Sequence, residues 1–276
     1  MKAFLQRHSL VIGLALMYLF TWTPYLSAAG VLPVRFPLVV YQLAGWGFVL
    51  AAVLMTWITL GRLAVGELLK RLLLWRIGWK WYASILIIPG TYMLGVTIHA
   101  LVNGLAPDFR NAAAYASLGS PSAMLRYVLP VFVLSVVGNW EEIGWRGYAL
   151  PRLQSRYAAL FSSLVLGIIW GLWHIAIYIG SFHPAWFSWY LVSVIAKSVL
   201  IAWAYNGSKG SLLLAMLYHG MWNTAGFFLP ITAKLSPQDL GAYSYVVFSE
   251  VAVAALLAIL TGHQHLSRTQ PRQVQS

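Results

Sequence analysis

The chain of 276 residues contains no cysteine. It therefore forms no disulfide, has no thiolate nucleophile and offers no thiolate ligand to a metal, so cysteine-based catalysis is excluded. Acidic residues are also scarce, with six Asp and Glu against eighteen Lys and Arg. Charged residues make up only 9% of the chain, which is far below the share that soluble domains carry.

Apolar residues take the place of the missing charge. Hydrophobic residues make up 60% of the chain, fourteen residues are tryptophan, and the mean hydropathy is +0.73. This composition indicates a polytopic membrane protein. The formal net charge of +12 arises from basic residues that flank apolar runs, where such residues set membrane topology. Nucleic acid is therefore not expected as a partner.

Eight apolar segments are long enough to cross the hydrocarbon layer as helices, which takes roughly 20 residues. We therefore expect an all-α polytopic bundle of about eight transmembrane helices. The predicted spans are Ser9 to Ala28, Phe36 to Leu60, Trp81 to Leu105, Ala123 to Leu150, Ala158 to Gly180, Ala185 to Asn206, Leu212 to Leu229 and Tyr243 to Thr261.

Two flanking segments need a separate interpretation. The first span follows Lys2 and Arg7 and ends near "SAAG", as a signal peptide would, but its apolar run is long for one, so we expect an uncleaved span. The second and third spans are joined by "GRLAVGELLKRLLLWRIGWKW". This mixture of basic residues with Leu and Trp is typical of an amphipathic helix on lipid headgroups, and it predicts membrane lipids as partners.

The distribution of basic residues predicts the topology. About twelve Lys and Arg lie in the termini and the even-numbered loops, against about three in the other loops. We expect an integral protein of the inner membrane of a bacterial or archaeal cell, with both termini cytoplasmic. Residues 1–262 would form one membrane domain. The polar tail of residues 263–276, "HQHLSRTQPRQVQS", is expected to be disordered and cytoplasmic.

Two glutamates lie side by side in the fourth predicted span, within "GNWEEIGWRGYALPRL". Ionisable groups inside a span are costly and are candidates for function. Glu142 and Arg146 are four residues apart on one helical face and can pair, whereas Glu141 points about 100° away. An unpaired, partly desolvated carboxylate is a suitable general base. The alternative is a buried ionic brace without chemistry.

Two further polar clusters lie in the fifth and seventh predicted spans. "WGLWH" places Trp170 and His174 one turn apart, and "HGMWN" does the same for His219 and Asn223. A single intramembrane histidine usually only bonds to a neighbouring helix. Two histidines, an asparagine and a carboxylate pair in one small bundle favour catalysis instead. Gly171 and Gly220, each next to the polar face, would let these helices approach their neighbours closely.

Together the three clusters resemble the signature motifs of the CAAX-protease and bacteriocin-processing (CPBP) family of intramembrane proteases. Those motifs are Glu-Glu-x-x-x-Arg, Phe-x-x-x-His and His-x-x-x-Asn, and "EEIGWR", "WGLWH" and "HGMWN" follow the same order. The resemblance covers about Ala123 to Phe228, with motifs on the fourth, fifth and seventh spans. Trp170 departs from it, since the family usually has Phe there.

The resemblance implies an endopeptidase that cuts a membrane-anchored or lipidated peptide or protein. Glu141 would activate water with the assistance of His174, while His219 and Asn223 would polarise the scissile carbonyl and stabilise the oxyanion. The residues implied to support the site are Glu142, Arg146 and Trp170. The substrates implied are prenylated carboxyl-terminal motifs, leader peptides, or carboxyl-terminal membrane anchors.

A zinc-dependent reaction by the same residues is an alternative. Glu141, His174 and His219 would supply three ligands with a fourth position open for water, and Glu142 would be the base. Metal-independent catalysis is favoured because Asn223 is a poor zinc ligand but a good oxyanion donor, and because the partner arginine occupies Glu142. We therefore expect no cofactor, with zinc as the alternative.

Other function classes have weaker support in the sequence. The chain lacks the His-Glu-x-x-His zinc helix and the Gly-x-Ser-x-Gly elbow, and Asp108 and Asp239 lie in predicted loops. A proton-coupled transporter would use the intramembrane ionisable residues as a relay, including Lys197 and Glu250, but there is no inverted repeat to support it. A non-catalytic immunity or interaction protein is the third alternative.

Overall fold

A computed structural model describes residues 2–179, 184–231 and 240–267. These residues are helical and contain no strand, as the composition predicts. The helices are α1 (Lys2–Arg7), α2 (Ser9–Ala28), α3 (Leu38–Gln42), α4 (Gly47–Leu60), α5 (Arg62–Lys70), α6 (Trp79–Ala83), α7 (Ile87–Val102), α8 (Ala113–Leu118), α9 (Pro121–Gly138), α10 (Leu150–Gln154), α11 (Ala159–Trp173), α12 (Ile175–Tyr178), α13 (Pro184–Gly207), α14 (Leu212–Phe228) and α15 (Tyr243–Thr261).

Six helical segments in the described ranges are long and apolar enough to cross a membrane. They correspond to six of the eight predicted spans. The second predicted span is covered by a shorter apolar stretch, Ala44–Leu60, because the chain turns between α3 and α4. The seventh is covered by α14, which has 17 residues. Six of the eight expected spans therefore have full-length helices, and the other two are covered by shorter ones.

The prediction of one helix from Ala123 to Leu150 is wrong. Helix α9 ends at Gly138, and Asn139 adopts φ −87° and ψ 50°, outside the helical region. Asparagine competes with helix formation through its side chain, and glycine has low helix propensity, so this dipeptide is a weak point. The chain then resumes in a π-helical segment, Ile143–Ala149, whose seven residues are all buried. Wide turns of this kind are frequent at functional sites.

The fifth predicted span is also interrupted. Helix α11 ends at Trp173, His174 forms a turn, and α12 continues only to Tyr178. Gly180, where the prediction ended, lies outside the described residues. The interruption places His174 at the end of a long helix, where its backbone is not part of a continuous α-helical ladder.

The helices pack around one large core. Helix α11 packs on α13, α13 on α15, and α15 on α7, while α14 lies against both α7 and α9. The expected close approach at Gly220 is confirmed, since a Cβ there would lie 2.9 Å from the backbone nitrogen of Val136 on α9. At Gly171 a Cβ would meet the side chain of Leu191 on α13. Many large apolar side chains on α9 face outward, including Leu125, Leu129 and Leu134. Such a face suits contact with lipid chains.

The segments outside the spans have defined positions. The predicted amphipathic segment contains the nine-residue helix α5, of which Leu68 is the buried residue. At the carboxyl end, Leu266 is fully buried, and the carbonyls of His263 and Gln264 accept hydrogen bonds from the start of α11. Residues 268–276, the rest of the predicted disordered tail, lie outside the described residues.

Candidate active site

The predicted pair of Glu142 and Arg146 is confirmed, and it includes a third residue. Oε1 of Glu142 lies 2.9 Å from Nη1 of Arg146 and 2.8 Å from Nδ1 of His219. Both members of the ion pair are fully buried, and His219 is only 4% exposed. Because the carboxylate can only accept, Nδ1 of His219 carries the hydrogen, and Nε2 is the ring nitrogen left for other partners.

Glu141 lies beside this cluster in a different environment. Its Oε2 accepts hydrogen bonds from the indole nitrogens of Trp145 and Trp170, each at 3.3 Å. Within the described residues it forms no ion pair, and its Oε1 accepts no hydrogen bond. The two adjacent carboxylates are thus divided as the spacing predicts. One is held by cations, and the other keeps an oxygen available for a water molecule.

Trp170 is the residue around which the predicted site is assembled. Its ring centroid is 5.1 Å from that of His219 and 5.9 Å from that of His174. The guanidinium carbon of Arg146 lies 4.6 Å from the same ring, a cation–π distance. The indole N–H donates to Glu141. A phenylalanine, which the motif usually has, would supply the ring but not this hydrogen bond.

The turn after α11 fixes the tautomer of His174. Its Nδ1 lies 2.9 Å from the backbone oxygen of Trp170. A carbonyl oxygen only accepts, so Nδ1 carries a hydrogen and Nε2 is the acceptor in the neutral ring. The ring is buried among aromatic side chains, namely Trp170, Trp173, Tyr178 and Tyr190. His174 is therefore a well-oriented base in an apolar wall.

Asn223 occupies a more open position than the histidines. Its side chain is exposed, and its Nδ2 lies 3.4 Å from Oδ1 of Asn139. Asn139 itself is only 6% exposed, and its Nδ2 has no hydrogen-bond partner in the described residues. A buried amide donor without a partner is uncommon. The two asparagines therefore present amide N–H groups at the break between α9 and the π-helical segment.

Sequence reasoning missed Asn139, Trp145 and Trp222. Trp145 follows Glu141 by four residues, so the spacing that predicted the Glu142 pair would also have found it. Asn139 is a polar residue in an apolar run, which was a usable signal. Trp222 contacts Trp170 across helices, with ring centroids 5.2 Å apart, and no local pattern indicates that contact.

The residues proposed as zinc ligands do not fit a zinc site in this arrangement. A catalytic zinc needs three side chains that converge on one point. Among the side chains that the structure describes, no group of three His, Cys, Asp or Glu is placed to hold a metal ion. Nδ1 of His219 faces Glu142 and is not available as a metal ligand. The geometry instead provides a half-buried carboxylate, two oriented imidazoles and two amides.

Comparison with known proteins agrees with the motifs. Residues 121–225 match the family described as type II CAAX prenyl endopeptidase Rce1-like, and this segment contains every residue of the candidate site. The chain is also 28% identical over 181 residues to CAAX prenyl protease 2 of the archaeon Methanococcus maripaludis. That alignment covers 62% of this chain and 63% of the relative, which is less than two thirds of the relative's length.

Proposed function

We propose that this chain, whose residues 121–225 match the Rce1-like family of type II CAAX prenyl endopeptidases, is an intramembrane endopeptidase in which Glu141 activates water. The observation that carries the proposal is the contrast between the two neighbouring glutamates. Oε1 of Glu142 is bound by Arg146 and His219, whereas Oε1 of Glu141 accepts no hydrogen bond from the described residues. A general base needs such a free oxygen for its water.

The first chemical step follows from this arrangement. Water donates a hydrogen bond to Oε1 of Glu141, and its oxygen attacks the scissile carbonyl carbon as the proton passes to the carboxylate. Nε2 of His174 is available as an acceptor to orient the water. The π electrons of the carbonyl move to its oxygen, which becomes negatively charged. Hydrogen-bond donors that are already in place stabilise this oxyanion.

Asn223 and His219 are the proposed donors to that oxyanion. The amide of Asn223 is accessible from outside the core, and Asn139 adds a second amide next to it. Nε2 of His219 can donate only when the ring is doubly protonated, because Nδ1 already carries the hydrogen that faces Glu142. In the second step the tetrahedral intermediate collapses, the C–N bond breaks, and the proton held by Glu141 passes to the leaving nitrogen.

The substrate we propose is a peptide that carries a prenyl group near its carboxyl terminus. The support is the family match and the name of the archaeal relative. A further support is that six helices are long and apolar enough to cross a membrane, where a lipidated peptide is concentrated. The Trp and Tyr side chains that surround His174 offer an apolar surface for the prenyl group.

The test is cleavage by the full-length protein reconstituted in liposomes. A synthetic peptide with a farnesylated or geranylgeranylated Cys-aliphatic-aliphatic-X terminus is incubated with wild-type protein and with Glu141→Ala. The peptide without the lipid is the matched control. We expect wild-type protein to release the last three residues from the lipidated peptide only, as measured by mass spectrometry. Equal release by Glu141→Ala, or no release by wild-type protein, would contradict the proposal.

A further inference from the structure

A second buried polar cluster, which we call the Lys197 cluster, lies outside the motif residues. It consists of Lys197 and Ser193 on α13, Glu250 on α15 and Tyr92 on α7. Lys197 is 1% exposed and Glu250 is fully buried. Nζ of Lys197 lies 3.1 Å from Oε1 of Glu250, 2.7 Å from Oγ of Ser193 and 3.1 Å from Oη of Tyr92.

Hydrogen bonds and an ion pair both hold the ammonium group of Lys197. Its Nζ donates to Ser193 and Tyr92, whereas Oε1 of Glu250 lies at ion-pair distance without accepting a hydrogen bond from the described residues. The hydroxyl of Ser193 also donates to Oε2 of Glu250, at 2.6 Å. Burying two charges is costly even when they are paired, and inside a membrane such residues usually have a function. Glu250 is one of only six acidic residues in the chain, so its position in the core calls for an explanation.

The ammonium group also lies over an aromatic ring of the third motif. Nζ of Lys197 lies 3.5 Å from the ring centroid of Trp222, well within cation–π range. Trp222 stands between His219 and Asn223 in "HGMWN". Its ring meets that of Trp170 edge to face, at 5.2 Å and 86°, and lies 5.8 Å from the ring of His219.

Two cation-bound indoles therefore meet at the site. Arg146 lies over Trp170 and Lys197 lies over Trp222, and the two rings are nearly perpendicular. Trp170 in turn donates to Glu141. No hydrogen bond in the described part of the chain joins the Lys197 cluster to Glu142 or His219, so the contact passes through the ring of Trp222 and not through a chain of protons.

We propose that Lys197, oriented by Glu250, is a positioning residue that holds Trp222 and, through it, the orientation of Trp170 and His219 toward the reacting groups. This inference rests on the proposed function. The cation fixes one face of the Trp222 ring, and the ring edge then limits how the neighbouring indole and imidazole can rotate. Loss of this contact would lower the rate of the chemical step while leaving substrate binding nearly unchanged.

The first test removes both charges together. In Lys197→Met/Glu250→Met no unpaired charge remains in the core, so folding should be preserved. We expect kcat on the lipidated peptide to fall between about 3-fold and 30-fold, the range for loss of a desolvated cation–π contact, with KM nearly unchanged. The matched control is Lys70→Met/Glu67→Met, which removes an exposed ion pair of the same type and should leave kcat unchanged.

Ser193→Ala is a milder variant in case the double substitution reduces folding. It removes the hydroxyl that bonds to both charged groups and should lower kcat by a few-fold. Lys197→Arg, which keeps a cation beside the ring, should retain more activity than Lys197→Met/Glu250→Met. If the folded double variant and Ser193→Ala both keep wild-type kcat, the inference is wrong.

A coupling experiment shows whether Lys197 acts through Trp222. In a Trp222→Leu background, Lys197→Met/Glu250→Met should cause little further loss of kcat, because the contact is already absent. Multiplicative losses in the two backgrounds would contradict the inference, since they would indicate a general structural effect.

A spectroscopic measurement separates this inference from the proposed function. Indole N–H signals of protein labelled with 15N-tryptophan are assigned by single Trp→Phe substitutions. In Lys197→Met/Glu250→Met, the signals of Trp222 and Trp170 should shift, while that of the exposed Trp75 should not. Absence of cleavage by wild-type protein would refute the peptidase proposal alone. Unchanged Trp222 and Trp170 signals would refute the positioning role, whatever the activity.

Discussion

The Nδ1 atom of His219 lies 2.8 Å from Oε1 of Glu142. This contact joins α14 to the segment that follows α9, and it therefore connects the first and third sequence motifs in space. Because Arg146 binds the same oxygen, one carboxylate holds both a motif arginine and a motif histidine. In the proposed mechanism Glu142 therefore positions His219, while its neighbour Glu141 is left for the chemistry.

Glu142→Gln should destabilise the protein strongly. The substitution keeps the size of the side chain but leaves the fully buried guanidinium of Arg146 without a countercharge. Loss of one partner of a buried pair costs about 3–5 kcal/mol, so thermal unfolding in detergent should shift clearly downward. The control is Glu67→Gln, whose partner Lys70 is exposed, and which should leave the unfolding midpoint unchanged. Equal midpoints for the two variants would contradict this account of Glu142.

Trp170→Phe should lower kcat without reducing stability greatly. The phenyl ring keeps most of the contacts with His174 and His219, but the hydrogen bond to Oε2 of Glu141 is lost. We expect a loss of about 3-fold to 10-fold, the scale of one hydrogen bond. Trp22→Phe, which removes an indole bond to a backbone carbonyl, is the control for loss of an indole donor elsewhere. A wild-type kcat for Trp170→Phe would show that this bond has no catalytic role.

Asn223→Ala should leave slow but measurable cleavage. Loss of one oxyanion donor typically reduces kcat by about 10²-fold to 10³-fold, and KM should change little. The control is Asn206→Ala, which removes a structural bond to the carbonyl of His265 and should affect stability more than kcat. An Asn223→Ala variant with wild-type kcat would exclude it as an oxyanion donor.

Asn139→Ala tests the residue that the sequence motifs do not include. Its Oδ1 accepts from Asn223 and its Nδ2 has no partner within the described residues. If the two amides act together, kcat should fall in Asn139→Ala, and the double variant with Asn223→Ala should lose less than the product of the single losses. Independent, multiplicative losses would indicate that Asn139 does not act through Asn223.

Part of the site follows from the sequence by simple geometry. The spacing of Glu142 and Arg146 predicts their ion pair, and the pair is present at 2.9 Å. The same spacing relates Glu141 to Trp145. Such contacts depend on one turn of helix and survive even though that turn is π-helical. The all-helical class likewise follows from the long apolar runs, and the structure confirms it for the residues that it describes.

The rest depends on packing that no local pattern contains. The bond between His219 and Glu142 requires α14 to lie against the π-helical segment, and the contact between Trp222 and Lys197 requires α14 to meet α13. Hydropathy also does not detect the end of α9 at Gly138, because the polar stretch that follows is short and apolar residues resume at Ile143. The predicted fourth span was too long for that reason.

Whether Glu141 is the general base is decided by the single-turnover rates of Glu141→Gln and wild-type protein on the lipidated peptide, with the metal content of both determined. Glutamine is nearly isosteric but cannot take a proton from water, so the account predicts no cleavage by the variant. It also predicts that wild-type activity survives a zinc chelator. Cleavage by Glu141→Gln at the wild-type rate would contradict the account, as would stoichiometric zinc whose removal abolishes activity and whose return restores it.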